Sequence, residues 1–116
     1  MVTDIDAVSR LGALAHEVRL RALRFLVKAG PSGMPSGEIA DALHVPATAM
    51  SFHLSALERS GLLASRRVGR KIFYAVQYEQ VRTLLEFLTE DCCGGRPEIC
   101  GSLGVPEQSY KEAERQ

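Results

Sequence analysis

A mainly helical domain with one small β-hairpin is the fold class this sequence predicts, and three observations carry it. Apolar residues recur at helical spacing in five separate stretches. Two short strand-like runs flank a single glycine late in the chain. The densest cluster of breakers, Gly30-Pro31-Ser32-Gly33-Met34-Pro35, falls between two of the helical stretches and not inside one. The 116 residues amount to one domain, and folding buries roughly two-thirds of the surface of an unfolded chain of this size. With 46% hydrophobic and 24% charged residues, disordered and collagen-like classes are excluded. No apolar run approaches the ~20 residues of a membrane helix. The polar start Met1-Val2-Thr3-Asp4-Ile5-Asp6 lacks the basic end and apolar core of a signal peptide. A cytoplasmic protein without a membrane partner is expected.

In chain order, Ile5, Val8, Leu11, Leu14 and Ala15 mark an amphipathic helix over Asp4–Ala15. Glu17–Ala29 follows, apolar nearly all round through Val18, Leu20, Leu23, Phe25, Leu26 and Val27, and is expected at the centre of the core. The breaker cluster ends it. Ser36 has the chemistry of an N-cap for a short helix Gly37–Leu43, with Glu38 placed favourably for the helix dipole. His44-Val45-Pro46 is a tight connection, because proline is tolerated only at or before the first turn of the next helix. That helix runs over Ala47–Ser60 with Met50, Leu54 and Leu57 on one side, and Gly61 stops it. Leu62–Arg67 and Lys71–Val76 read as strands joined by Val68-Gly69-Arg70. Glu79–Asp91 is a last helix, with Val81, Leu84, Leu85 and Leu88 in one stripe.

Two short helices joined by three or four residues are a helix-turn-helix pattern, and a basic hairpin directly after the second is a wing. Charge agrees with that reading. Net charge is zero, yet residues 1–78 carry ten basic and six acidic side chains, and residues 79–116 carry four and eight. Between 59 and 71 stand Arg59, Arg66, Arg67, Arg70 and Lys71 without one acid, a stripe suited to a polyanion touched along one face.

The run Leu11-Gly12-Ala13-Leu14-Ala15-His16 leading into Arg19-Leu20-Arg21, then Ser51-Phe52-His53-Leu54, then Leu57-Glu58-Arg59-Ser60-Gly61-Leu62-Leu63, resembles the ArsR (ArsR/SmtB) family of metal- and metalloid-sensing repressors. The likeness extends over roughly residues 5–90 in the correct order. It implies a homodimeric winged helix-turn-helix, dimerising through its first and last helices, that represses its own operon and leaves double-stranded operator DNA when an inducer binds. In this frame residues 1–91 form the DNA-binding and dimerisation domain, and residues 92–116 an inducer-binding cysteine loop and polar tail. Two recognition helices about 34 Å apart would meet successive major grooves of a near-palindromic site.

With Met50, Leu54 and Leu57 inward, the opposite side of the recognition helix carries Thr48, Phe52, Ser55 and Arg59, with Ser51 on the flank. Hydroxyls bond phosphates or base edges, and an exposed Phe52 suits a thymine methyl. His53 fits the family's Ser-x-His-Leu pattern as a structural or phosphate-contacting group, not a metal ligand. Arg66, Arg67, Arg70 and Lys71 are expected on phosphates or in the minor groove.

Two departures from the family pattern shift the inducer site. The stretch Pro35-Ser36-Gly37-Glu38-Ile39-Ala40-Asp41 lacks the Cys-x-Cys motif that many members carry there, and the last helix has no histidine. The three cysteines, Cys92, Cys93 and Cys100, all lie within nine positions, with Gly94, Gly95 and Pro97 between them to turn the backbone. Soft thiolates select thiophilic ions. Tetrahedral zinc needs a fourth ligand, and no histidine lies beyond position 53. Three thiols suit As(III) or Sb(III), whose lone pair leaves a three-sulfur pyramid, and some members of the family sense arsenite through an adjacent pair plus one further cysteine. Other readings stay open: a disulfide or persulfide bridge from Cys92 or Cys93 to Cys100, cadmium or lead with Glu90, Asp91 or Glu98 added, or thiols without function. A thiol enzyme is disfavoured, since a helix C-terminus opposes a thiolate and no Cys-x5-Arg motif is present.

Overall fold

The computed structural model describes residues 3–89. Five helices and three strands follow one another as α1 Asp4–Leu14, α2 Glu17–Ala29, β1 Met34–Pro35, α3 Ser36–Leu43, α4 Ala47–Arg59, β2 Leu63–Val68, β3 Lys71–Val76 and α5 Tyr78–Thr89. The strands form one antiparallel sheet in the order β1-β3-β2. This is the expected winged helix-turn-helix: α3 and α4 are the helix pair, β2 and β3 the wing.

Each helix begins and ends for a local reason. Thr3 caps α1 in a reciprocal arrangement: its hydroxyl accepts from Asp6 N–H at 3.1 Å, and the Asp6 carboxylate accepts from Thr3 N–H at 3.3 Å. His16 caps α2, its Nδ1 accepting from Val18 N–H at 3.2 Å. The helices α3 and α4 end alike. Val45 N–H reaches Ala40 O and His44 N–H reaches Asp41 O; Leu62 N–H reaches Leu57 O and Gly61 N–H reaches Glu58 O. Both are six-to-one, five-to-two closures around a left-handed residue, Gly61 at φ +92 and His44 at φ +58.

The fold departs from the sequence expectation at four places. Ser36 is not the N-cap of α3 but its first residue. Pro35 occupies the cap position without a side-chain bond, because Met34 and Pro35 are already paired with Tyr74 and Phe73 of β3. Met34 and Pro35, the end of the breaker cluster in the sequence, form strand β1, and Pro35 is tolerated there because β1 is an edge. The wing turn is two residues, Gly69-Arg70, with Val68 still paired to Lys71 and Gly69 at φ +64 in the first turn position. On α2, Leu20 and Val27 are exposed, so its buried side is the narrower set Ala22, Leu23 and Leu26. The last helix is described only to Thr89; positions 90 and 91 lie outside the described residues.

The core joins these elements. Leu26, Ile39, Met50, Leu54, Leu57, Leu62 and Leu63 are fully buried, with Ala22, Tyr74 and Val76 closing the cluster. Tyr78 on α5 donates its hydroxyl to Val27 O at 3.0 Å, and Gln77 N–H bonds Leu62 O, so α5 is anchored to the end of α2 and the start of the wing. An apolar surface remains uncovered on α1 and α5, which pack beside each other. Ile5 is 81% exposed and Val8 70%, and Leu11, Leu85 and Leu88 are also exposed.

Gly33 is the tightest backbone site. It has φ +76, and a Cβ there would collide with the Tyr74 carbonyl of β3. Gly33→Ala is expected to lower stability by about 2–4 kcal/mol in urea unfolding, through strain and the backbone collision together. Gly37→Ala, where a Cβ meets open space, should cost no stability by the same measurement.

Candidate nucleic-acid interface

The orientation of α4 is set from behind. Met50, Leu54 and Leu57 have no exposed surface, so the opposite side of the helix must face out. Thr48, Ser51, Phe52 and Arg59 are exposed there, Phe52 to 60%. Ser55 is half-buried, as is His53, which turns toward α2.

His53 is not a free group. Its Nδ1 accepts from Arg19 Nε–H at 3.1 Å, its ring lies 4.5 Å from that of His16 at a tilt of 46°, and Phe52 meets it edge-on at 5.7 Å. Arg19 also places its guanidinium carbon 5.5 Å from the centre of the Phe52 ring. An Nδ1 that accepts leaves the proton of the neutral ring on Nε2. Burial, then the charges of His16 and Arg19, hold the His53 imidazole below its ordinary pKa. The sequence reads His53 as a structural or phosphate-contacting group; its contacts with Arg19 and His16 are not legible there, because they depend on how α2 packs against α4.

The wing divides its cations between two faces. Strand alternation puts Leu63, Ser65 and Arg67 on one side with Val76, Tyr74 and Ile72, and Ala64, Arg66 and Val68 on the other with Ala75, Phe73 and Lys71. Arg66 is engaged within the fold: its guanidinium stacks 4.8 Å from the Phe73 ring centre and donates to Ser32 O at 3.2 Å. Lys71 lies 3.9 Å from the Glu38 carboxylate of α3. Ser65 donates to Glu58 Oε2 at 2.7 Å, fastening the wing to α4. Arg59, Arg67 and Arg70 are exposed and, among the described residues, have no hydrogen-bond or ion-pair partner. These three uncompensated cations on the end of α4 and the wing, and the exposed hydroxyls of Thr48 and Ser51 on α4, have the chemistry of phosphate contact.

Cys92, Cys93 and Cys100, together with Glu90, Asp91 and Glu98, lie outside the described residues. Among the described residues no cluster of three or more His, Cys, Asp or Glu could hold a metal ion, and no helix is long and apolar enough to cross a membrane.

A buried helix pair, an outward recognition face and a basic antiparallel wing define a winged helix-turn-helix DNA-binding domain. The comparisons with known proteins agree. A family model described as a helix-turn-helix domain matches residues 14–66. The transcriptional activator HlyU of Vibrio cholerae is 32% identical over 87 residues, covering 75% of this chain and 78% of HlyU. The HTH-type transcriptional regulator YgaV of Escherichia coli is 31% identical over 88 residues, 76% of this chain and 87% of YgaV. The solved structure of V. cholerae HlyU superposes with a TM-score of 0.61 over 77% of this chain and 94% of that one. The homodimeric winged helix-turn-helix domain of Mb0332 from Mycobacterium bovis, a possible ArsR-family regulator, does so at 0.60 with 28% identity, over 79% of this chain and 86% of that one. The chain belongs to the ArsR type of winged helix-turn-helix transcriptional regulators.

Two outcomes follow from this geometry. Arg70→Ala is expected to weaken duplex binding for all sequences and to make the plot of log affinity against log salt shallower by about 0.9, the loss of one phosphate contact; an unchanged slope would place Arg70 off the DNA. The pH dependence follows from His53. Because its ring resists protonation in the fold, the unfolded chain takes up the proton first as pH falls below about 6.5. Stability should therefore decline between about pH 7 and pH 5 more steeply in the wild type than in His53→Gln, measured by urea midpoints.

Proposed function

We propose that this protein is a homodimeric repressor that binds a near-palindromic operator and releases it on capturing trivalent arsenic or antimony through Cys92, Cys93 and Cys100. The observation that carries the sensing part of the reading is the confinement of every thiol of the chain to nine positions just after α5. Three soft donors and no nearby histidine suit a three-coordinate thiophilic ion better than zinc. The dimer part is supported by the uncovered apolar surface of α1 and α5, and by the homodimeric state of Mb0332.

Coupling follows from position. Cys92 comes three residues after the last described residue of α5, so a ligand closing the cysteine segment acts at the end of an element in the proposed dimer contact. A change in how two protomers meet alters the spacing of their two α4 helices, which must match one turn of DNA. By linkage, operator DNA weakens metalloid binding by the same factor as metalloid weakens DNA binding. All three ligands belong to one chain, giving one metalloid per subunit.

A second reading is a thiol redox or persulfide switch on the same scaffold. It is favoured by the 31% identity to HlyU, whose structure is described in a reduced form. The two are separated by titrating arsenite, antimonite, cadmium, lead, zinc and persulfide into the protein–operator complex. Arsenite or antimonite is expected to release the DNA at about one equivalent per subunit, and each of Cys92→Ser, Cys93→Ser and Cys100→Ser to abolish release while leaving DNA binding intact. Release by persulfide alone favours the redox switch, release by cadmium or lead alone a heavier-metal sensor. Arsenite release that survives all three substitutions refutes the site.

A further inference from the structure

Arg19 belongs to α2, outside both the helix pair and the wing, yet its guanidinium engages two consecutive residues of α4. Its Nε–H donates to His53 Nδ1 at 3.1 Å, and its guanidinium carbon stands 5.5 Å from the centre of the Phe52 ring. The His16 ring lies tilted against His53, and the His53 and Phe52 rings meet edge-on. Phe52 is thus restrained by two neighbours while 60% of it stays exposed. It is also the one large apolar side chain exposed on α4, with Thr48 and Ser51 exposed nearby on the same helix. A ring in that position adds nothing to the core and leaves apolar surface free to meet an apolar group of a ligand. Without such contacts an exposed phenylalanine on a helix would exchange between rotamers.

We propose that Arg19 is a positioning residue for sequence recognition: it holds the Phe52 ring, through His53 and its own stacked guanidinium, so that the ring meets the 5-methyl group of a thymine in the major groove. The methyl is the apolar feature by which thymine differs from the other bases on that edge. The inference rests on the DNA-binding reading of α4 and assigns to Arg19 a role distinct from phosphate contact. An arginine on a phosphate strengthens binding to every sequence alike and contributes to the salt slope. An arginine that orders Phe52 affects only the discrimination of thymine from its demethylated counterpart.

The test begins with a duplex selected by the wild-type protein from a random-sequence library. Each thymine of the selected site is replaced in turn by deoxyuridine, which removes the methyl and leaves the hydrogen-bonding edge unchanged. At one thymine or more the wild type should bind the uracil duplex about fourfold more weakly, the factor that one buried methyl contributes. In Phe52→Ser that ratio should fall to about one. In Arg19→Met it should also fall toward one although Phe52 is present, with the salt slope unchanged. Arg19→Lys, which keeps the charge but not the Nε–H fork, should behave as Arg19→Met does, and it carries the comparison if the methionine variant does not fold. The proposal is overturned if no thymine responds in the wild type, or if the response survives Phe52→Ser. It is equally overturned if the arginine variants keep the fourfold ratio and lose affinity uniformly with a shallower salt slope. Failure to select any duplex overturns the DNA-binding reading itself, a result separable from the others.

Discussion

The complete burial of Met50, Leu54 and Leu57 along one side of α4 is the constraint from which the recognition surface follows. Each such side chain contributes about 1.5–3 kcal/mol by leaving water. Turning the helix by a single residue, about 100°, would bring all three out together. That loss is comparable with the whole stability of a small domain. The rotation of α4 is therefore not adjustable, and the exposure of Thr48, Ser51, Phe52 and Arg59 is its consequence. The wing inherits a fixed position from the same source, since Leu62 and Leu63 are buried in the same cluster and Ser65 is bonded to Glu58.

Periodicity was enough to find every helix, although on α1 and α5 much of the apolar stripe that reveals the helix, Ile5, Val8, Leu11, Leu85 and Leu88, is exposed. It also gave the bounds of α2 and β3 as the fold has them. What it could not supply was pairing at a distance. Met34-Pro35 has no strand pattern of its own and becomes a strand because β3 offers it an open edge. Ser36 is displaced from the cap position by the same pairing. His44 takes up a left-handed conformation that sequence reasoning reserves for glycine, and two carbonyl closures at the end of α3 hold it there.

The candidate site divides in the same way. Which residues of α4 face outward was legible from three apolar positions, and the basic character of the wing from composition. Their partners were not: Arg66 reads as a free cation, yet it also stacks on Phe73 and donates to Ser32 O. Arg19 enters the sequence only as part of the run Arg19-Leu20-Arg21, yet its side chain bridges α2 to α4 at His53. Contacts between elements distant in sequence decide which charges remain open to a ligand, and no local pattern encodes them. The cysteine cluster is the converse case, conspicuous in the sequence and outside the described residues.

The recognition helix is supported at separate points by separate elements. Arg19 of α2 grips its middle at His53, and Arg21 of the same helix donates to Leu43 O, just before the turn that leads into it. Its far end is held by α1, where Arg10 Nε–H donates to Ser60 O at 3.1 Å and the guanidinium packs over Gly61. The helices α1 and α2 meet at the short joint Ala15-His16. In mechanical language α4 is a beam on two bearings mounted on opposite arms of a hinge. Any change in the angle between α1 and α2 would therefore tilt the beam and not slide it, raising one end relative to the other.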